Sequence, residues 1–148
     1  MLKTILFPTD FSEISFKALD AFEKLQLAGA EKVILLHVVD QRNFHIMEGN
    51  GYANAKELEK QLEKQSMDYA KSELEKMAPK IKEQGFTVVP KVVIGIPVQE
   101  ILKEQKEDEV SLIVLGSHGK SNLAEIFLGS VAEKVVRKCT KPVLVVKR

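Results

Sequence analysis

Residues 111–131 decide the fold, and they read Ser-Leu-Ile-Val-Leu-Gly-Ser-His-Gly-Lys-Ser-Asn-Leu-Ala-Glu-Ile-Phe-Leu-Gly-Ser-Val. The run Leu112–Leu115 is entirely apolar, which is typical of a buried strand in a parallel sheet. Gly116, Gly119 and Gly129 divide the loop that follows, and a helical pattern begins at Gly129. Glycines let backbone N–H groups approach an anion closely, and a helix N-terminus adds a partial positive charge. The stretch therefore predicts a strand–loop–helix that holds a phosphate; the alternative is a tight connection without a ligand.

This loop does not match two well-known phosphate-binding motifs. The Walker A loop needs a glycine five residues before Gly119-Lys120-Ser121, and Val114 stands at that position. The dinucleotide fingerprint Gly-x-Gly-x-x-Gly needs a third glycine that is absent at the required offset from Gly116 and Gly119. Both motifs are therefore excluded.

A second turn of the same kind follows the first predicted strand, Thr4–Phe7. It reads Pro-Thr-Asp-Phe-Ser at residues 8–12. Asp10 and Ser12 are both good helix N-caps, and Glu13 stands three residues after Asp10, as in a capping box. The helix that follows carries an apolar stripe and ends at a glycine, at positions Phe16, Leu19, Phe22, Leu25 and Gly29. From the residues alone, Asp10 is a helix cap.

The remaining elements alternate between strand and helix. Strands are predicted over 33–39, over 88–94 and over 143–146, and helices over 56–84, from Pro97 and from Gly129. His37 interrupts the second strand and is interpreted as a hydrogen-bonded core or interface residue, not a ligand. Pro90 places the third strand at a sheet edge. Pro79 is expected to kink the long helix or to start its last piece, and Lys103–Glu109 is interpreted as a solvated charge run. This succession predicts a parallel α/β sheet with helices on both faces and a ligand beyond the carboxyl ends of the strands.

The composition limits the classes of function. The chain has 148 residues, 22 Lys and Arg against 21 Asp and Glu, and a single cysteine, Cys139. The length predicts one domain. The net charge of +1 gives no electrostatic basis for binding nucleic acid or an anionic membrane. A lone cysteine excludes an internal disulfide, and the apolar runs are too short for a membrane span or a signal peptide, so we expect a cytoplasmic protein.

The spacing of Gly116, two residues, Gly119, nine residues and Gly129-Ser130 resembles the ATP-binding signature of the universal stress protein family. The resemblance covers the whole chain and includes the segments 5–12, 36–38, 93–97 and 141–146. It implies a single domain over 1–148, with a doubly wound, Rossmann-like sheet of five parallel strands in the order 3-2-1-4-5. In that order the first and fourth strands are neighbours, so the bends at Pro8 and Gly116 meet.

The resemblance also implies a set of ATP-binding residues. Pro8, Thr9 and Asp10 are expected to border the nucleoside, and the main chain of Val38 to hold the adenine. The ribose and phosphates are expected to be wrapped by Gly116, Ser117, His118, Gly119, Lys120, Ser121 and Asn122, with His118 acting through its backbone. Gly129, Ser130 and Val131 are expected to give N–H groups, and Ser130 its hydroxyl, to the phosphates. Lys120 either pairs with a phosphate or points into water.

Three functions stay open at this point. The preferred one is a regulatory module in the stress response that binds ATP with Mg²⁺ or Mn²⁺ held mainly by the phosphates, and that signals to an unidentified protein partner. The second is a slow or partner-dependent ATP hydrolase, since Asp10 is the only evident carboxylate for catalysis. The third is a nucleotide-free interaction scaffold. The apolar strand 143–146 would leave an unpaired sheet edge, and the resemblance implies a homodimer joined through it.

Overall fold

A five-stranded parallel sheet in the order 3-2-1-4-5 forms the centre of the protein, which confirms the predicted architecture. The computed structural model describes residues 2–44, 54–107, 109–117 and 128–147. The strands are β1 (Thr4–Pro8), β2 (Lys32–Asp40), β3 (Thr87–Gly95), β4 (Leu112–Gly116) and β5 (Val143–Val146). The helices are α1 (Glu13–Leu27), α2 (Ala55–Lys82), α3 (Pro97–Glu107) and α4 (Ser130–Lys138), and a short 3-10 helix covers Gln41–Phe44.

The sheet separates two hydrophobic cores, because successive strand residues point to opposite faces. On one face α1 and α2 cover Ile5, Phe7 and Leu35. On the other face α3 and α4 cover Leu6 and Leu36. The central strands are thus covered on both sides, which explains their continuous apolar runs.

The neighbours in the sheet place the two suspected turns side by side. β1 pairs with β4 in parallel, with Ile5 opposite Leu112, so the bends after Pro8 and Gly116 leave the same edge of the sheet. β3 lies at one edge and Pro90 stands opposite Leu35 of β2, which confirms the prediction made from this proline.

The start of α1 differs from the predicted capping box. Ser12 is the N-cap, and its hydroxyl accepts the Ser15 N–H at 3.4 Å. Asp10 does not pair with Glu13; its Oδ1 instead accepts the Ser12 N–H at 3.0 Å. Asp10 therefore shapes the turn before the helix, because a short carboxylate readily accepts from the backbone two residues on.

One residue of the apolar stripe of α1 lies outside the core, and one surface prediction was wrong. Phe16 of the stripe is 37% exposed, and the Lys80 ammonium lies 5.3 Å from its ring centre. The charge run over 103–109 is not wholly solvated, since Glu104 and Gln105 are buried. Glu104 accepts from Lys91 of β3 at 2.5 Å, and Gln105 Oε1 accepts the Thr140 N–H at 3.2 Å. Both side chains are buried because partners from other elements satisfy them.

The longest described helix, α2, spans 28 residues. Pro79 lies inside it and the helix ends three residues later at Lys82, so the missing N–H affects only its last turn. Its buried side includes Ala70, Leu74 and Met77, while Tyr69 is 58% exposed. Within the described ranges, no helix has both the length and the apolar character needed to cross a bilayer.

Candidate functional site

A cavity of about 290 Å³ opens at the carboxyl edge of the sheet, where β1, β2 and β4 end. Its position agrees with the general rule that open α/β sheets bind ligands where the strand order reverses. The described lining residues are Pro8, Thr9, Asp10, Ser12, Ser15, Leu36, His37, Val38, Pro97, Ile101, Leu115, Gly116, Gly129, Ser130, Val131 and Ala132. The cavity is therefore shared by three strand ends and three helix starts.

The cavity brings together eight of the residues singled out from the sequence: Pro8, Thr9, Asp10, Val38, Gly116, Gly129, Ser130 and Val131. Five others, His118, Gly119, Lys120, Ser121 and Asn122, lie outside the described residues. The remaining one, Ser117, is fully buried and is not among the lining residues.

Ser117 has a different place from the one expected for it. Its N–H donates to Val146 O of β5 at 2.8 Å, and its carbonyl accepts the Gly129 N–H at 2.6 Å. The first bond continues the pairing of β4 with β5, and the second joins the two ends of the glycine-rich loop. The main chain of Ser117 therefore joins the end of β4 to β5 and to the residue before α4.

The main chain of Val38 faces the cavity for a reason that follows from strand geometry. Leu36 O accepts the Thr9 N–H at 2.8 Å, so the backbone groups of Leu36 point towards β1. Backbone N–H and C=O groups point to opposite sides at successive residues of a strand. The groups of Val38, two residues after Leu36, therefore also point towards β1. The pairing of β1 with β2 ends at Pro8 and Leu36. Val38 thus presents one N–H and one C=O beyond the end of β1, where the cavity lies.

The turn between β1 and α1 is held by the hydroxyl of Thr9. This hydroxyl donates to Ser15 Oγ at 2.9 Å, accepts the Phe11 N–H at 3.1 Å and lies 3.8 Å from Met77 Sδ. Thr9 is therefore engaged within the protein. Asp10 is half-buried and uses one carboxylate oxygen for the Ser12 N–H. Among the described residues no hydrogen bond reaches its Oδ2, which leaves that oxygen as an acceptor at the cavity wall.

The three helices that begin at the cavity differ in how their first N–H groups are satisfied. α1 is capped by Ser12, and α3 begins with Pro97, which has no N–H. α4 begins after Gly129, which makes no side-chain cap hydrogen bond. A helix leaves its first N–H groups without intrahelical partners. In the part of the chain that the structure describes, no side chain caps the start of α4, so its first N–H groups line the cavity together with the positive end of the helix dipole.

Charged side chains are few at this site. Asp10 is the only acidic residue among the described lining residues, and no lysine or arginine is among them. Asp40, which ends β2, pairs with Arg42 at 2.6 Å, and this side-chain hydrogen bond lowers the pKa of Asp40. No group of three metal-ligating side chains occurs in the part of the chain that the structure describes.

Sequence reasoning missed half of the lining residues. His37 was interpreted as a hydrogen-bonded core or interface residue. The 2.7 Å contact of its Nδ1 with Thr9 O confirms the hydrogen bond, but the side chain is half-buried and borders the cavity. Leu36 and His37 lie inside β2 and reach the cavity because the pairing of β1 with β2 ends at Pro8 and Leu36, which the sequence did not indicate. Pro97 begins the helix that follows the third strand, so its position at a strand-to-helix turn was a signal that indicated the cavity. The inward side of α1, with Ser12 and Ser15, had no such signal: Ser12 was interpreted as a helix cap and Ser15 was not singled out.

Comparison with known proteins gives one consistent result. The universal stress protein family profile matches residues 1–147. Universal stress protein MJ0577 of Methanocaldococcus jannaschii is 44% identical to this chain, over all of this chain and 96% of its own length. The solved structure of MJ0577 superposes with a TM-score of 0.89 at 43% identity and covers 100% of this chain and 97% of its own. YxiE of Bacillus subtilis is 34% identical over 99% of this chain and all of its own. A universal stress protein solved in complex with cAMP shares the fold, with a TM-score of 0.68 and 24% identity over 99% of this chain and 97% of that one.

Proposed function

The chain belongs to the universal stress protein family, and from this membership and the shape of the cavity we propose that it is an ATP-binding regulatory module. The observation that carries the proposal is the uncapped start of α4, which lies at the same cavity as the bends after Pro8 and Gly116. Backbone donors at a helix N-terminus bind phosphate without any basic side chain. An anionic ligand therefore suits a cavity whose described lining lacks lysine and arginine.

The geometry supports one orientation of the nucleotide. The N–H and C=O of Val38 match the acceptor N1 and the donor N6 on one edge of adenine, so the base lies against β2. Asp10 stands at the end of β1, between Val38 and α4 in the order of the sheet, and its Oδ2 is suited to a ribose hydroxyl. The phosphates then reach the N–H groups of Ser130 and Val131, with the Ser130 hydroxyl as a further donor. The Gly129 N–H, which was also expected to bind them, already donates to Ser117 O.

A divalent cation fits this site only in one manner. Asp10 is the sole acidic group of the described lining, so Mg²⁺ or Mn²⁺ would be held mainly by phosphate oxygens and water, as Mg²⁺ commonly is. When bound, the ion neutralises phosphate charge. This chain's own residues bind and orient the nucleotide.

We expect the purified protein to release ATP on denaturation, identified by mass spectrometry. Added ATP at about 100 times its Kd should stabilise the protein by about 2.7 kcal/mol, a rise in melting temperature of roughly 5 to 10 °C for a domain of this size. Gly129→Val should abolish both effects, because a branched side chain at the helix start obstructs the phosphates. An unchanged melting temperature with millimolar ATP would favour the nucleotide-free scaffold.

Hydrolysis of ATP is expected to be slow. Phosphoryl transfer needs a positioned base and cationic groups around the γ-phosphate. Asp10 is the only carboxylate among the described lining residues, and one of its oxygens already accepts from Ser12. Turnover of the isolated protein should stay below about 1 per second, the lower end of ordinary enzyme rates. A faster rate in a phosphate-release assay, lost in Asp10→Asn, would establish the hydrolase alternative.

We further propose a homodimer formed through β5, because the two sheet edges differ in chemistry. β3 carries Pro90 and Lys91, which discourage edge pairing, whereas β5 consists only of valine and leucine. Leu144 is 36% exposed there.

Leu144→Lys is expected to convert the dimer to a monomer, because pairing two copies of β5 would bury like charges. Light scattering coupled to size exclusion measures the mass. Ile94→Lys is the matched control, since Ile94 is an apolar residue of β3 with a similar exposure of 37%, and it should leave the dimer intact. A wild-type monomer at all concentrations would contradict the proposal.

A further inference from the structure

Phe11 has an unusual backbone conformation for its residue type. Its φ is +64°, in the left-handed region that bulky residues rarely adopt. Such a conformation persists only where the surrounding structure holds it, and these residues cluster at functional sites. Phe11 directly follows Asp10, so whatever holds Phe11 also sets the direction of the chain at the cavity wall.

Aromatic contacts and one hydrogen bond hold Phe11 in place. Its ring stacks on the imidazole of His37, with centroids 4.4 Å apart and 23° between the planes. The edge of Tyr69 from α2 meets it at 6.1 Å and 86°. Its N–H donates to Thr9 Oγ1 at 3.1 Å. Of these two rings, that of His37 has the shorter centroid distance to Phe11.

His37 also attaches the turn to β2 directly. Its Nδ1 lies 2.7 Å from Thr9 O, and a carbonyl oxygen only accepts, so Nδ1 carries the hydrogen. The Thr9 N–H donates to Leu36 O at 2.8 Å. Both main-chain groups of Thr9 are therefore bound to consecutive residues of β2. The N–H donates to the main chain of Leu36, and the carbonyl accepts from the side chain of His37.

From these contacts we infer that His37 and Phe11 form a positioning pair that holds the 8–10 turn against β2 and so pre-organises the nucleoside end of the cavity. The inference rests on the proposed binding of ATP. His37 fixes Thr9, and Phe11 fixes the chain after Asp10, so the pair sets the distance between Asp10 and the main chain of Val38. A wall ordered before binding raises affinity, because the ligand does not have to order it.

The pair is tested first by affinity. His37→Leu removes the Nδ1–H and the aromatic ring, and it should weaken ATP binding about tenfold, measured by calorimetry at 10 °C, well below unfolding. His37→Asn should recover several-fold of this loss, because its amide nitrogen replaces Nδ1 as a donor. Phe11→Leu should also weaken binding, and the double variant should lose less than the product of the two single losses, since both act on one turn.

A matched control separates positioning from general stability. Phe86 is buried and contacts Phe22 edge-on at 5.6 Å, and it precedes β3 at the edge of the sheet opposite the cavity. Phe86→Leu should lower the melting temperature but leave ATP affinity unchanged. If His37→Leu and His37→Asn both bind ATP as tightly as the wild type, or if Phe86→Leu weakens binding as much as His37→Leu, the positioning role is overturned.

A measurement without nucleotide keeps this inference distinct from the proposed function. The amides of Phe11 and Ser12 donate within the turn, to Thr9 Oγ1 and Asp10 Oδ1. In His37→Leu their hydrogen exchange should quicken about tenfold, with amides inside α1 unchanged. Unchanged exchange would overturn the pair even if ATP binds. Failure of the wild type to bind ATP would overturn the proposed function, while the exchange result would still decide whether His37 holds the turn.

Discussion

Replacing Gly129 with aspartate is expected to weaken ATP binding by more than about 100-fold while raising the melting temperature. Gly129 is the N-cap of α4 with φ −63° and ψ 160°, an extended conformation that any residue adopts, and it makes no side-chain cap hydrogen bond. Aspartate at an N-cap accepts the first N–H groups and interacts favourably with the helix dipole, which together contribute about 1 kcal/mol of stability. The same N–H groups are the ones that we propose bind the phosphates.

The loss of affinity follows from competition. Two charge-assisted hydrogen bonds contribute about 1.5 to 3 kcal/mol each, and the new carboxylate both occupies the donors and repels the phosphates. Calorimetric titration with ATP and thermal unfolding without it measure the two effects. Asn54→Asp is the matched control, because Asn54 is the N-cap of α2, also makes no side-chain cap hydrogen bond and does not line the cavity. It adds the same charge and should leave ATP affinity unchanged.

A Gly129→Asp variant that gains stability and keeps its affinity would show that the start of α4 does not hold the phosphates. A variant that loses both would indicate damage to the helix. A gain in stability together with a loss of affinity would therefore indicate that the start of α4 lacks a cap because its N–H groups bind a ligand. Functional sites commonly sacrifice stability in this manner.

The fold was predictable from the sequence because its strands are short apolar runs with clear ends. β5 has the predicted bounds, and β1 and β4 extend the prediction by one residue each. Pro90 placed β3 at the edge for a reason that does not depend on packing. The strand order was implied by the resemblance to the universal stress protein family, and because that order sets the bends at Pro8 and Gly116 at one edge, the location of the cavity was predictable as well.

The errors concern contacts between residues distant in sequence. Glu104 and Lys91 are 13 positions apart and lie on different elements, so nothing local in 103–109 indicated that Glu104 is buried. Ser117 turns inward because the end of β5 accepts its N–H. Phe11 has a left-handed backbone conformation and packs against the rings of His37 and Tyr69, which the sequence did not indicate. Each of these three features involves contacts with other elements of the fold, and the periodicity of apolar residues along the sequence does not indicate such contacts.

Phe22→Ala is expected to cost about 3 to 5 kcal/mol of unfolding free energy, the range for truncating a fully buried phenylalanine. Phe22 has no exposed surface. Its ring meets Phe7 at 5.1 Å and Phe86 at 5.6 Å, both edge-on, so it joins α1 to β1 and to the segment before β3. For a domain of this size the melting temperature should fall by about 10 °C or more. Urea unfolding followed by circular dichroism measures the free energy.

The position of Phe22 makes this variant informative about function as well. Phe22 belongs to the core on the α1 and α2 face, whereas the cavity is bordered by Ile101, Ala132 and Leu36 of the opposite core. ATP affinity at 10 °C should therefore stay within about twofold of the wild type, as expected for sites without shared partners. Ile101→Ala provides the comparison: it truncates a buried residue of the cavity wall and should lower stability and affinity together. Equal losses of affinity in both variants would mean that the sheet does not separate the two cores energetically.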